Sequence, residues 1–319
     1  MTHHVAILAF DGFQILDVTG PASVFGAAND GLGREAYRIS VAAAEAPAVR
    51  SGCGVSIMAR RLDELTPENI DSAFISGGSD DGLRALIANE AARNWTERAF
   101  QRASRHGSIC AGSVVLAAWD LIGERRFASH WHSVPYIRKH WPELKLDADS
   151  IFVNDGPLWT SAGVTTGIDM ALAIVEADHG AACARAIAQR LVLSVRRPGW
   201  QSQYSPTLAA QGARDGRYAD LIGWIAANLD QPLGVETLAE QAGESARSFH
   251  RNFTSAVGDT PARYVMMRRL DHARILIGQG QSLKQVAAGC GFADAAHLSV
   301  AFQKRFGMTA GAYRLVHGG

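Results

Sequence analysis

The last hundred residues contain one pattern twice, and that duplication restricts the possible folds more than any other feature. Leu238-Ala-Glu-Gln-Ala-Gly243 is followed by Phe253, Gly258 and Tyr264. Val286-Ala-Ala-Gly-Cys-Gly291 is followed by Phe302, Gly307 and Tyr313 at nearly the same intervals. In each copy an apolar helix ends at a glycine free to turn left-handed, and Ser245 or Asp294 then stands where it can cap a second helix. Each copy reads as helix, tight turn, helix.

The second helix of each copy sets Phe249 and Phe253, or Leu298, Phe302 and Phe306, on one face to anchor it. The opposite face carries Arg247, Ser248, His250 and Arg251 in the first copy. In the second it carries Ala295, Ala296, Ser299 and Gln303, with Lys304 and Arg305 beyond. A helix held this way can enter a major groove, Arg247 reading guanine and Arg251, Lys304 and Arg305 meeting phosphates. The plainer alternative is a helical bundle with ordinary solvated charge. Net charge is zero overall, but Arg217 to the C-terminus carries 11 Lys and Arg against 8 Asp and Glu. That excess of +3 leaves −3 on the remainder, the asymmetry expected of a DNA-binding tail.

A chain of 319 residues exceeds one ordinary core. From Val5 to about Ser194 short apolar runs alternate with helical stretches. Val5–Phe10, Arg38–Ala43, Ala73–Ile75 and Ser108–Ile109 read as strands, and Pro21–Asn29, Ala91–His106 and Val114–Ile122 as helices. A hairpin turns at Asn154-Asp-Gly, and helical spacing returns at Gly167 and over Ala181–Val195. These features predict an α/β doubly wound, flavodoxin-like domain over 1–197, a Pro- and Gly-rich linker over 198–216, and an all-α domain with two helix-turn-helix units over 217–319.

Cys53, Cys110, Cys183 and Cys290 lack metal or disulfide spacing, so thiols are expected, with no metal and no cofactor. Neither a secretory leader nor a membrane-length apolar run is found, which predicts a cytoplasmic protein with no membrane partner.

An apolar strand runs into Cys110, and small residues and a helix follow at once in Gly107-Ser-Ile-Cys-Ala-Gly-Ser. This is a nucleophile-elbow pattern, whose position at a helix start is expected to depress the thiol pKa and to offer amides to an anion. His130-Trp131 supplies a potential base, and Phe74-Ile-Ser-Gly-Gly78 ends a strand in a loop that can approach a ligand closely. Each residue also has a structural reading: Cys110 as a small core hydrophobe, Asp17 as a helix cap before Pro21, Trp131 as core.

Thr260–Leu276 and Ser282–Arg314 resemble the linker helix and second unit of the AraC/XylS family of regulators, with Val300 and Ala310 where that family usually has Arg and Pro. Phe10–Pro21, Ser76-Gly-Gly, the Cys110 elbow, Ser129-His-Trp and Thr160–Asp169 resemble the DJ-1/PfpI superfamily, relatives of class I glutamine amidotransferase domains. With Arg197-Pro-Gly-Trp-Gln201 between them, the whole chain resembles the GlxA-type subfamily of AraC regulators.

That resemblance implies a transcription regulator, usually an activator, gated by a small nitrogenous metabolite. Asp17, Gly78, Cys110, Ala111 and His130 fall at the ligand positions. The implied partners are double-stranded DNA, the effector, a second copy in a homodimer and RNA polymerase. Two units on one rigid helix would meet direct-repeat half-sites about 34 Å apart. Two alternatives stay open: an enzyme, hydratase- or hydrolase-like, with Cys110, Asp17 and His130 as catalytic candidates, or a Cys110 redox sensor.

Overall fold

A computed structural model of the chain describes residues 2–44, 47–193, 197, 199, 203, 218–257, 259–306 and 309–317. It divides into two compact units, Met1–Gln203 and Tyr204–Gly319. Most of the segment expected as linker lies outside the described residues. Its Gly199 and Gln203 are bonded into the first unit, to Phe152 and to Asp149.

In the first unit, β1 (His3–Leu8), β2 (Tyr37–Ala43), β3 (Ala48–Arg50), β4 (Ser56–Met58), β5 (Arg60–Arg61), β6 (Ser72–Ile75), β7 (Arg105–Ile109), β8 (Phe127–Ala128), β9 (Leu146–Asp147), β10 (Phe152–Asp155) and β11 (Leu158–Ser161) are the strands. The helices are α1 (Ile15–Leu32), α2 (Asp80–Ile87), α3 (Glu90–Arg102), α4 (Gly112–Ala118), α5 (Val134–His140) and α6 (Thr166–Arg190). Seven strands form the main sheet in the order β10-β11-β7-β6-β1-β2-β5. All neighbours run parallel except the β10–β11 hairpin.

Strand order reverses between β1 and β6, because the chain first crosses from β1 to β2 and later continues outward from β6 to β7. Ligands of open α/β sheets bind at such a switch point, beyond the carboxyl ends of the strands. Val5, Ile7, Phe74, Ile75 and Ile109 are fully buried in the sheet, as expected of strands covered on both faces.

Several element boundaries differ from the sequence reading. Helix α1 begins at Ile15, ahead of Pro21, so Pro21 lies inside it and Asp17 sits in its first turn rather than capping it. Helix α3 stops at Arg102, and His106 belongs to buried strand β7. Helix α4 ends at Ala118. Helix α6 is broken at Gly180 (φ 82°, ψ 164°), which restarts helical spacing at Ala181, and it ends at Arg190. Its residue Asp178 accepts from the Tyr37 hydroxyl at 2.7 Å and pairs with Arg105, tying α6 to β2 and β7.

The second unit is helical throughout its described residues: α7 (Ala219–Ala227), α8 (Val235–Gln241), α9 (Ala246–Val257), α10 (Pro261–Gly278), α11 (Leu283–Gly289), α12 (Ala295–Phe306) and α13 (Ala310–His317). Among the described residues no helix is long and apolar enough to cross a membrane. Phe249 and Phe253 sit at 0% exposure in a cluster that runs from Tyr218 to Val265. Replacing Phe253 by Ala removes its contacts with Tyr218, Phe249 and Tyr264. The substitution is expected to cost about 3–5 kcal/mol. Calorimetry should show the transition of the second unit lowered and that of the first unchanged.

Candidate functional site

Strand β7 runs into Cys110, which takes φ 59°, and α4 begins two residues later. A left-handed cysteine is strained unless its surroundings hold it. Here the Cys110 N–H donates to the Ser161 carbonyl at 2.9 Å, and the Ser113 hydroxyl reaches the Cys110 carbonyl at 3.3 Å and Ser129 Oγ at 2.7 Å. Gly77 and Gly163 (φ 97°) press against the Cys110 side chain, where any Cβ would overlap it.

Asp17 lies beneath the elbow at 0% exposure. Its Oδ2 accepts the Gly77 N–H at 2.9 Å, and its Oδ1 accepts the Val164 N–H at 2.8 Å. Burial raises its pKa to about 6, against the lowering effect of Val164, Gly77 and the Cys110 thiol. Burial, and then the Asp17 charge, push the Cys110 thiol up from its ordinary range, with the Ala111 amide acting the other way. The depressed thiol pKa expected of an elbow is therefore overturned: the dry site and the adjacent carboxylate outweigh the helix start.

Above Cys110 opens a cavity of about 520 Å³. It includes Gly78, Cys110, Ala111 and His130 in its lining, four of the five residues expected at a ligand. Asp17 is not among the lining residues. Its two carboxylate oxygens are taken by the loop amides of Gly77 and Val164. His130 has its pKa lowered by burial, and its Nδ1 accepts the His132 N–H at 3.4 Å. The thiol's partners are Asp17 and the Ala111 and Val164 amides. No Cys110–His130 hydrogen bond is found among the described residues; of the catalytic candidates, Asp17 is the one in contact with the thiol.

Trp131, read from the sequence as core sooner than as a cation-binding face, is 48% exposed and lines the cavity together with exposed Asp80, His132 and Val164, which sequence reasoning missed. Exposed Cys53 also lines it, its thiol pKa lowered first by Ser51 Oγ at 3.2 Å and then by the Val55 backbone. The glycines flanking Cys53 and those of Gly163-Val-Thr-Thr-Gly167 were the available signals. Beyond the wall, Arg197 binds Asp169 and Thr165, and Gln203 donates to the Ser129 carbonyl at 2.9 Å. Both bonds fall next to cavity residues, Val164 and His130.

In the second unit both turn glycines are left-handed as expected, Gly243 at φ 67° and Gly291 at φ 66°. The caps also form: the Ser248 N–H donates to Ser245 Oγ at 3.3 Å, and the His297 N–H donates to Asp294 Oδ1 at 2.7 Å. On α9, Arg247, His250 and Arg251 are exposed and Ser248 is half-buried. On α12, Ala296, Gln303 and Lys304 are exposed, with His297 and Val300, two residues left out of the sequence-based set. Ala295 is half-buried, and Ser299 Oγ is turned back to the Ala295 carbonyl at 2.7 Å. Arg305 is half-buried, its guanidinium 5.7 Å from the Phe306 ring centre, so packing competes with its expected phosphate role. Val300 stands 68% exposed where the related family has Arg.

The raised Asp17 pKa has a sign. A carboxyl at 3.8 when unfolded and about 6 when folded binds more protons in the folded state between those values. Its stabilising effect is full below about pH 4 and is lost as pH rises through about 6, amounting to about 3 kcal/mol. Asp17→Asn should flatten the stability profile across that window in chemical denaturation. Parallel profiles for the two proteins would overturn the assignment.

A model of the DJ-1/PfpI family matches residues 3–177, and a model of a helix-turn-helix domain matches residues 238–315. The HTH-type transcriptional regulator CdhR of Pseudomonas aeruginosa is 28% identical over 307 residues, covering 96% of this chain and 90% of that one. The HTH-type transcriptional regulator GlxA of Rhizobium meliloti is 28% identical over 313 residues, covering 97% and 95%. Among solved structures, a ThiJ/PfpI family protein from Pseudomonas syringae matches with TM-score 0.55 and 21% identity, over 71% of this chain and 87% of that one. Drosophila melanogaster DJ-1beta matches with TM-score 0.54 and 21% identity, over 61% and 100%. The chain therefore belongs to the DJ-1/PfpI family and, with its helix-turn-helix region, is a transcriptional regulator similar over nearly its whole length to CdhR and GlxA.

Proposed function

We propose that this regulator is gated by a small nitrogenous metabolite, an amino acid or betaine, bound in the cavity over Cys110. The observation that carries the reading is the cavity itself. It lies at the sheet's switch point and has backbone at Gly78 and Ala111, an exposed indole at Trp131 and an exposed carboxylate at Asp80. Backbone donors suit a ligand carboxylate, and the indole face with Asp80 suits a cationic nitrogen. A protonated Cys110 without a histidine partner favours binding over thiol catalysis or peroxide sensing at that residue.

On this reading the protein acts in the cytoplasm as a homodimeric activator. Each chain sets α9 and α12 in successive major-groove faces of a direct repeat, and the bound complex touches RNA polymerase. Dimerisation raises avidity without new DNA contacts. Domain limits of 1–197 and 217–319 suit this division, with residues 198–216 joining sensor to reader.

Thermal-shift measurements on the full chain against amino acids, betaines, amines and short carboxylates test the gating. A ligand at 100 times its Kd should stabilise by about 2.7 kcal/mol. Trp131→Ala and Asp80→Asn should abolish the shift and Cys110→Ser should keep it. No shift from any class, or a shift that survives Trp131→Ala, would sink the assignment. For DNA, Arg247→Ala should cost about 1–3 kcal/mol of sequence-specific affinity in gel-shift titrations at fixed salt. Unchanged affinity would remove Arg247 from the interface.

A further inference from the structure

Arg269 lies midway along α10, the helix that joins the two helix-turn-helix units. Its Nε donates to the Leu229 carbonyl at 2.9 Å and its Nη2 to the Gln231 carbonyl at 2.6 Å. Both carbonyls lie just past the end of α7, in the first helix-turn-helix unit. The other side of the junction belongs to the second. Gly291, in its turn, sits so close that a Cβ would come within 2.5 Å of the Leu229 oxygen and 2.6 Å of Arg269 Nη2. Arg269 is therefore bracketed by one unit's helix exit and the other unit's turn.

Little else among the described residues joins the two. The apolar cluster of the first helix-turn-helix unit ends at Val265 and contains no residue of α11, α12 or α13. The residues buried in the second, Val286, Cys290, Leu298 and Phe302 among them, pack apart from it. Two separate cores on one helix would leave the angle between their outer faces to that helix and to whatever braces it. A guanidinium fork fixed on two carbonyls braces well, because its donors are rigid and planar and its charge strengthens both bonds.

We infer that Arg269 is a positioning residue that fixes the separation at which α9 and α12 meet DNA, and so sets the half-site spacing the protein accepts. The inference rests on the two-site reading given above. It assigns Arg269 no contact with DNA. Gly291 serves the same junction by leaving room for the guanidinium and by holding φ 66°. A lysine in place of Arg269 would not be equivalent, since an ammonium on a flexible stem lacks the planar fork that fits two fixed carbonyls.

Selection from a random-core duplex library with the full-length protein tests this, comparing wild type with Arg269→Ala and Arg269→Lys. Wild type should recover two sequence blocks at one spacing. Both variants should recover the same two blocks spread over several spacings. Their affinity for the best wild-type duplex should fall by about 10-fold, with less than about 3-fold loss on a duplex holding one block, because only effective concentration is lost. Variants that keep the single spacing would overturn the proposal, as would equal losses on one-block and two-block duplexes, which mark a merely structural role. The lysine variant keeps charge and most packing, so it carries the test if the alanine variant does not fold. A wild type that recovers one block alone would overturn the two-site reading, and the proposal with it.

Discussion

A carboxylate removed from water must find donors inside the protein or shed its charge, and Asp17 does some of each. It takes amides from two loops, at Gly77 and Val164, and sits against the thiol of a third element at Cys110. Those three segments follow β6, precede α6 and follow β7, so one buried group registers the ends of the sheet where the strand order reverses. The floor of the cavity depends on it. Cys110 keeps its left-handed backbone only because the surrounding glycines and carbonyls leave it no room elsewhere.

The second unit solves a similar problem with less strain. Its sharp turns are made by glycines, which adopt positive φ without steric cost, and its helix starts are capped by Ser245 and Asp294. Among the described residues Arg247 and Arg251 make no side-chain hydrogen bond or ion pair, whereas Ser299 and Arg305 are partly spent on their own helix and its neighbour. If both helices meet DNA as proposed, α9 is the better equipped of the two, and Val300 adds an apolar rather than cationic surface to α12.

Much of this was legible in the sequence wherever a residue's local conformation decided its role. Gly243, Gly291 and the Asn154-Asp-Gly turn announce themselves because few residues do what they do. The strand-to-helix elbow at Cys110 was equally plain. What failed was anything set by distant partners. The direction of the Cys110 pKa depends on burial and on Asp17, 93 positions earlier, which no local pattern encodes. Asp17 was placed at the ligand by its position in the family pattern, and its 0% exposure could not be read from that position. His106 was taken into a helix because helical spacing ran on past Arg102, where pairing with Ala73 in β6 prevailed. Trp131 was read as core before cation-binding face, and its exposure depends on neighbours that no local pattern names.

The separation of the two apolar cores in the second unit has a consequence for how such a protein changes over generations. Substitutions in cores that share no residue add rather than interfere, so each half can be altered and tested by selection without refolding its neighbour. On the two-site reading proposed above, one helix can thus drift towards a new base sequence while the other keeps the protein on its old site, so that a duplicated reader moves between operators by halves.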